Sequence, residues 1–275
     1  MDNIIFIGSS IISVIVNKTA VAPFERLKLL KQSDIYYKMN NYNKNIINSF
    51  KFIYKNEGFK GYYRGNLINI YRMIPAYAIK YPVYDNFMKN KTKTSYGEKF
   101  YYGYLTGLIQ TTATYPIDFL RTRLTLDNKM LKLYKTNLVN YTKHLIKNNG
   151  IKSLYNGFSG SILFYPFYIA IQFSIFNYFK EYGYNPLISG GITGMITDGI
   201  MYPSDIIRRQ LQINGVNETK KKYSGIINCI NKIYIKEGIN GFYKGFGINL
   251  FKSIPEAAIQ FAVYEYCKEI GLTYL

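Results

Sequence analysis

The chain has 275 residues, 48% of them apolar, and carries 35 Lys and Arg against 16 Asp and Glu, a net charge of +19. That apolar content excludes a disordered polar chain, and Cys229 and Cys267 are too few for a disulfide framework and lack metal-ligand spacing. The single histidine, His144, argues against a His-based catalytic or metal centre, and the mean hydropathy of −0.10 is depressed by 30 tyrosines.

In chain order, an apolar stretch from Ile4 to Val16 runs on through Lys18 to Pro23. An amphipathic segment follows, with Ile46, Ile47, Phe50 and Ile53 on one face. After Gly65 comes a second apolar stretch, interrupted by Arg72. Phe100 to Tyr115 then leads into Pro116 and carries Gly103 and Gly107, a spacing that lets membrane helices approach closely. Gly157 to Phe179 supplies 23 residues without a charge, enough to cross a hydrocarbon core. Leu187 to Tyr202 carries Gly190, Gly194 and Asp198 and leads into Pro203. Ile226, Ile227, Ile230 and Ile233 form another amphipathic face, and a last apolar stretch after Gly245 contains Lys252.

Each stretch continues beyond its proline, so the proline is expected to kink a helix and not to end it. Charges inside such spans normally face a water-filled interior and mark a pathway. The fold class expected is therefore an all-α membrane protein. Six tilted transmembrane helices form a pseudo-threefold bundle with three short amphipathic helices; the alternative is a large soluble helical protein with basic surface helices. Met1-Asp2-Asn3 lacks the basic start of a cleavable signal, and none is expected. The basic excess admits nucleic acid, anionic lipid or an anionic small molecule as partner; its spread between apolar stretches speaks against nucleic acid.

A repeat organises these elements. Pro23-Phe-Glu25-Arg-Leu-Lys28, Pro116-Ile-Asp118-Phe-Leu-Arg121 and Pro203-Ser-Asp205-Ile-Ile-Arg208 share the pattern Pro-x-acid-x-x-base, with prolines 93 and 87 residues apart. Tyr63-Arg64-Gly65, Tyr155-Asn156-Gly157 and Tyr243-Lys244-Gly245 follow, their glycines 42, 41 and 42 residues after the prolines. Twenty residues beyond each glycine stand Tyr84-Asp85, Phe176-Asn177 and Tyr264-Glu265. The units expected are 1–93, 94–181 and 182–275, within one structural domain. Acid and base three residues apart share a helix face, so three kinked helix ends can exchange ion pairs in a ring.

The tripled motif resembles the mitochondrial carrier family over essentially the whole chain, and Asn17 to Leu30 is most similar to its adenine-nucleotide branch, which holds ADP/ATP, ATP-Mg/phosphate and coenzyme A carriers. The resemblance implies a matrix-side gate pairing Glu25 with Arg121, Asp118 with Arg208 and Asp205 with Lys28. It also implies a bracing glutamine four residues after each base. Gln32 and Gln212 match that position and Thr125 does not. The family's opposite, cytoplasmic-side gate is degraded here. Glu265 and Lys268 are intact, but Asn177 and Met88 replace two members, leaving Asp85 with Lys180 as the one pair by charge.

Substrate contacts in the family lie seven residues after each unit's aromatic-x-Gly glycine, which is Arg72, Phe164 and Lys252 here. Lys18 matches a phosphate-contacting lysine and Tyr168 a tyrosine near adenine, and Lys80 adds a further positive charge. Three deep cations suit a polyphosphate. Phe164-Tyr165 departs from the small residue usual in nucleotide carriers, and either stacks on a base or packs between helices. Paired glycines, Gly58 with Gly65, Gly150 with Gly157 and Gly238 with Gly245, begin turns and helices whose N–H groups can bind phosphate, and the resemblance implies that these elements hold cardiolipin. The resemblance implies a transporter, expected to be monomeric, not an enzyme and without cofactor or metal. It would exchange an adenine-type nucleotide or coenzyme A across the mitochondrial inner membrane. Alternatives are a carrier of phosphate or a carboxylate, or a proton-leak homologue. With the cytoplasmic-side ring weakened, the resting state is expected to be closed on the matrix side.

Overall fold

A computed structural model describes residues 2–33, 46–89, 94–126, 138–214 and 222–274. Long helix, short helix, one 3-10 turn and a second long helix recur three times. The first set is α1 (Asp2–Gln32), α2 (Ile46–Glu57) and α3 (Asn66–Met88). The second is α4 (Tyr96–Leu126), α5 (Leu138–Asn149) and α6 (Phe158–Glu181), and the third is α7 (Pro186–Gln212), α8 (Ile226–Glu237) and α9 (Phe246–Tyr274).

Pro23, Pro116 and Pro203 lie inside α1, α4 and α7, and Pro75, Pro166 and Pro255 inside α3, α6 and α9, so the helices run through their prolines as expected. By length and hydropathy one described segment, Ile151–Glu181, is apolar enough to cross a membrane. The other long helices carry charged residues, among them Lys18, Arg72, Asp198 and Lys252, which lower their mean hydropathy.

The bundle closes on itself through three glycines in the left-handed region. Gly65, Gly157 and Gly245 cap α3, α6 and α9 with φ near +80°. A Cβ on Gly65 would sit 2.1 Å from Thr125 Oγ1 at the end of α4, and one on Gly157 would sit 2.7 Å from the Leu211 backbone at the end of α7. Gly245 backs onto Tyr202 and the Lys28 carbonyl near the end of α1. Each unit thus seats the start of its second long helix against the next unit's first helix, and the third seats against the first.

Gly103 and Gly107 bring α4 against α6, with added Cβ atoms falling 2.8 Å from Ala170 Cα and 2.6 Å from Pro166 Cα. At Gly190 and Gly194 no described atom lies within 4 Å of an added Cβ, so among the described residues the close approach is seen at Gly103 and Gly107. The short helices differ in part from expectation. Ile53 and Ile233 are buried against α1 and α7, but Ile47 and Ile227, expected on the same face, are 64% and 75% exposed. The inward positions next to them are filled by Ser49 and Cys229, both fully buried.

Candidate functional site

Just beyond their prolines, α1, α4 and α7 converge, and the Pro-x-acid-x-x-base residues meet. Arg121 Nη2 donates to Glu25 Oε2 at 2.5 Å, and Lys28 Nζ lies 3.1 Å from Asp205 Oδ2. Both pairs are those the family pattern implies. The third is built differently. Asp118 is met by Arg209 Nη1 at 3.3 Å, while Arg208 turns back to Asp205 at 2.9 Å and sets its guanidinium 5.1 Å from the Tyr165 ring centre. One residue along a helix is a rotation of about 100°, so Arg209 leaves the face expected of the motif and reaches the neighbouring helix α4.

The two glutamines brace two of the three acids. Gln32 Nε2 donates to Asp205 Oδ2 at 3.0 Å and to Tyr202 OH at 3.2 Å. Gln212 Nε2 donates to Asp118 Oδ2 at 2.8 Å, and its Oε1 accepts from Arg209 at 2.8 Å and Thr122 at 3.0 Å. Thr125 packs under Gly65. The third acid, Glu25, is braced by Asn69 Nδ2 of α3 at 2.7 Å.

One layer further into the bundle lie the deep cations. Lys18 and Lys252 are 8% and 9% exposed, and each Nζ stands 3.3 Å from Glu25 Oε1. Both also bind Glu256, Lys18 through Oε1 and Lys252 through Oε2 at 2.8 Å. Two lysines and two carboxylates form a closed quartet. Arg72 Nε stands 3.6 Å from Asp118 Oδ1, too long for a hydrogen bond, which leaves it the least engaged of the three. Cations that line the interior therefore touch the same acids that hold the helix ends together.

The chain matches the family described as mitochondrial carrier protein three times, over residues 6–95, 91–186 and 182–274. It belongs to the mitochondrial carrier family. Among its relatives are mitochondrial substrate carrier family protein P of Dictyostelium discoideum, 33% identical over 90% of this chain and 88% of that one, and an uncharacterized mitochondrial carrier of Saccharomyces cerevisiae, 30% identical over 96% and 91%. The ADP,ATP carrier protein 3 of Saccharomyces cerevisiae is 29% identical over 90% and 88%. The long helices are thus the transmembrane helices of a carrier, and the bundle is a membrane transporter fold.

The remaining expected site residues of the carrier fall into place unevenly. Lys80 is buried on α3, donating to Gln172 Oε1 of α6 at 2.7 Å, with the Phe173 and Tyr81 rings 5.0 and 5.3 Å from its Nζ. Tyr165 stacks on Tyr168 with centroids 5.7 Å apart and planes 8° apart, and Tyr168 OH donates to Asp198 Oδ1 at 3.1 Å. Phe164 differs from the base-stacking expectation: it packs against the Tyr202, Ile206 and Ile207 cluster between α6 and α7. Adjacent residues on a helix point to different faces, so only one of the aromatic pair reaches the interior.

At the opposite end of the bundle, no ion pair joins Asp85 to Lys180 among the described residues, and both are exposed. The side chains of Glu265 and Lys268 lie outside the described residues. Beyond Lys80, α3 and α6 meet here through apolar and neutral groups. The Tyr84 ring lies on Phe173 at 3.7 Å, Asn177 Nδ2 donates to Tyr84 OH at 2.8 Å, and Met88 packs alongside.

The glycine pairs also divide. Gly58, Gly150 and Gly238 donate their N–H groups to Tyr54, Ile146 and Tyr234 carbonyls at 2.8 to 2.9 Å, so these N–H groups are spent on ending the short helices and are not open to phosphate. Glu57 beside Gly58 is clamped by both 2.8 Å contacts from Arg26 Nη2. An open surface groove lies between the first turns of α6 and α8, lined by residues including Ser159, Ser224, Gly225 and Asn228.

Asn69, Arg209, Asn249 and Glu256 are site residues that the sequence reading passed over. Asn249 bridges Asp198 at 2.6 Å and Lys28 at 3.0 Å. A signal existed for two of them: Asn69 and Asn249 both stand four residues after their unit's glycine. Glu256 stands one helical turn after Lys252, a spacing that invites an i,i+4 pair.

Proposed function

We propose that this carrier exchanges an anionic adenine-type nucleotide, or coenzyme A, across the mitochondrial inner membrane by alternating access, as a monomer. The observation that supports it is the sharing of acids between cavity and ring. Lys18, Lys252 and Arg72 rest on Glu25 and Asp118, which also hold Arg121 and Arg209. An entering phosphate group competes with those acids for the three cations. As it draws the cations off, Glu25 and Asp118 lose partners and the ring at the ends of α1, α4 and α7 loosens. Binding energy is thereby spent on opening the gate, the differential interaction that a ligand-driven change of state requires. The flat Tyr165 and Tyr168 faces offer a stacking surface for a purine, and the groove between the first turns of α6 and α8 offers helix N-termini to a cardiolipin phosphate.

Proteoliposomes loaded with ADP and offered labelled AMP, ADP, ATP, coenzyme A, phosphate and malate test the reading. Counter-exchange of the nucleotides or of coenzyme A is the expected outcome. Exchange restricted to phosphate or malate would replace it with the reading of a simpler anion carrier.

A further inference from the structure

Glu256 belongs to neither ring, and nothing in the threefold pattern requires it. Its equivalents eleven residues after the other two glycines are Ala76 and Tyr168. Yet its carboxylate spans the two lysines that the preceding reading assigns to phosphate, one oxygen on Lys18 of α1 and the other 2.8 Å from Lys252 of α9. Glu25 faces it across the same two ammonium groups at 3.3 Å from each. In this conformation Glu256 occupies the place of a bound anion.

Resting on the reading of this cavity as a phosphorylated-nucleotide site, we propose that Glu256 is a specificity-determining residue that sets how much negative charge the substrate can carry. A phosphate reaching Lys18 and Lys252 must displace the carboxylate. The displaced group cannot go far, because it is anchored one turn along α9 from Lys252. It stays within a few ångströms of the incoming phosphate and repels each further unit of charge brought in. A monophosphate meets this repulsion least and a triphosphate most. Arg72 and Lys80, which make no contact with Glu256 among the described residues, remain for the rest of the anion.

Counter-exchange of AMP, ADP and ATP, measured without divalent cations in proteoliposomes of wild type, Glu256→Gln and Glu256→Asp, tests the proposal. Wild type is expected to favour the monophosphate over the triphosphate. Glu256→Gln is expected to raise the ATP-to-AMP rate ratio about tenfold or more, the scale of one unit charge acting at short range in a partly dry cavity. Glu256→Asp keeps the charge and is expected to keep the wild-type order. An unchanged or lowered ratio in Glu256→Gln, with nucleotide exchange intact, overturns the role of Glu256 alone. A wild type that favours the triphosphate overturns it without reference to any variant, including one that does not insert. Exchange of none of the three nucleotides by wild type overturns the nucleotide reading itself.

Discussion

The two ends of the bundle are built from different materials. Where α1, α4 and α7 converge, three acids, three bases, two glutamines and two asparagines are knitted across helix boundaries, and Asp118, Arg121, Arg209, Gln32 and Gln212 are all buried. Toward the other end, the described contacts between α3 and α6 are a Tyr84–Phe173 stack, the Asn177–Tyr84 hydrogen bond and the Lys80–Gln172 hydrogen bond; Lys99 pairs with Glu181 between α4 and α6, and Asp85 and Lys180 are left exposed. Ion pairs in a confined space can be exchanged for a charged ligand. A ring stack cannot. The first end thus holds the charges for which, in the reading proposed above, an anionic substrate competes, whereas the described contacts between α3 and α6 include no acid–base pair.

The largest expected effect comes from removing the residue on which the first end turns. Glu25→Gln strands Arg121 and weakens the hold on Lys18 and Lys252. Breaking one side of a buried charge network typically costs about 3–5 kcal/mol. A marked fall in the thermal unfolding midpoint of the detergent-solubilised carrier, together with loss of exchange, is the outcome to look for. A midpoint equal to wild type would mean that the ring carries little of the stability assigned to it.

An intermediate effect separates the two adjacent arginines. Arg209→Ala leaves Asp118 and the Gln212 carbonyl oxygen short of a buried donor, a loss of about 1–3 kcal/mol. Arg208→Ala leaves Asp205 with Lys28 and Gln32, so a smaller loss is expected. Measured in parallel by thermal unfolding, the reverse order would reinstate the Asp118–Arg208 pair that the family pattern implies.

The smallest effect belongs to the opposite end. Asp85→Asn and Lys180→Ala alter exposed side chains with no mutual contact, and each is expected to change stability by no more than about 0.5 kcal/mol. If both instead shift the unfolding midpoint by several degrees and do so non-additively, the pair closes in a conformation other than this one, and the contrast between the two ends narrows.

The helix order, the prolines within helices and the identity of the ring's acids were legible from the sequence, because periodicity and the repeated motif are local records of what one helix must do. The three glycines at +80° were legible for the same reason, since only a residue without a Cβ permits both that backbone and the contact behind it. Partner choice was not. Gly103 and Gly190 sit in the same four-residue pattern, yet among the described residues one touches α6 and the other meets nothing within 4 Å. Ile47 and Ile53 share an apolar pattern, and only Ile53 is buried.

The sequence by itself determined that three kinked helix pairs carry acids and bases at one level and deep cations at the next. Only the tertiary structure decided that Arg209 rather than Arg208 meets Asp118, that Phe164 packs between α6 and α7 while Tyr165 faces the interior, and that Glu256 closes a quartet with Lys18, Lys252 and Glu25. The physical reason is that a side chain's helical angle is fixed by its neighbours in the chain, whereas the charge it meets depends on the rotation and kink of another helix far away in sequence.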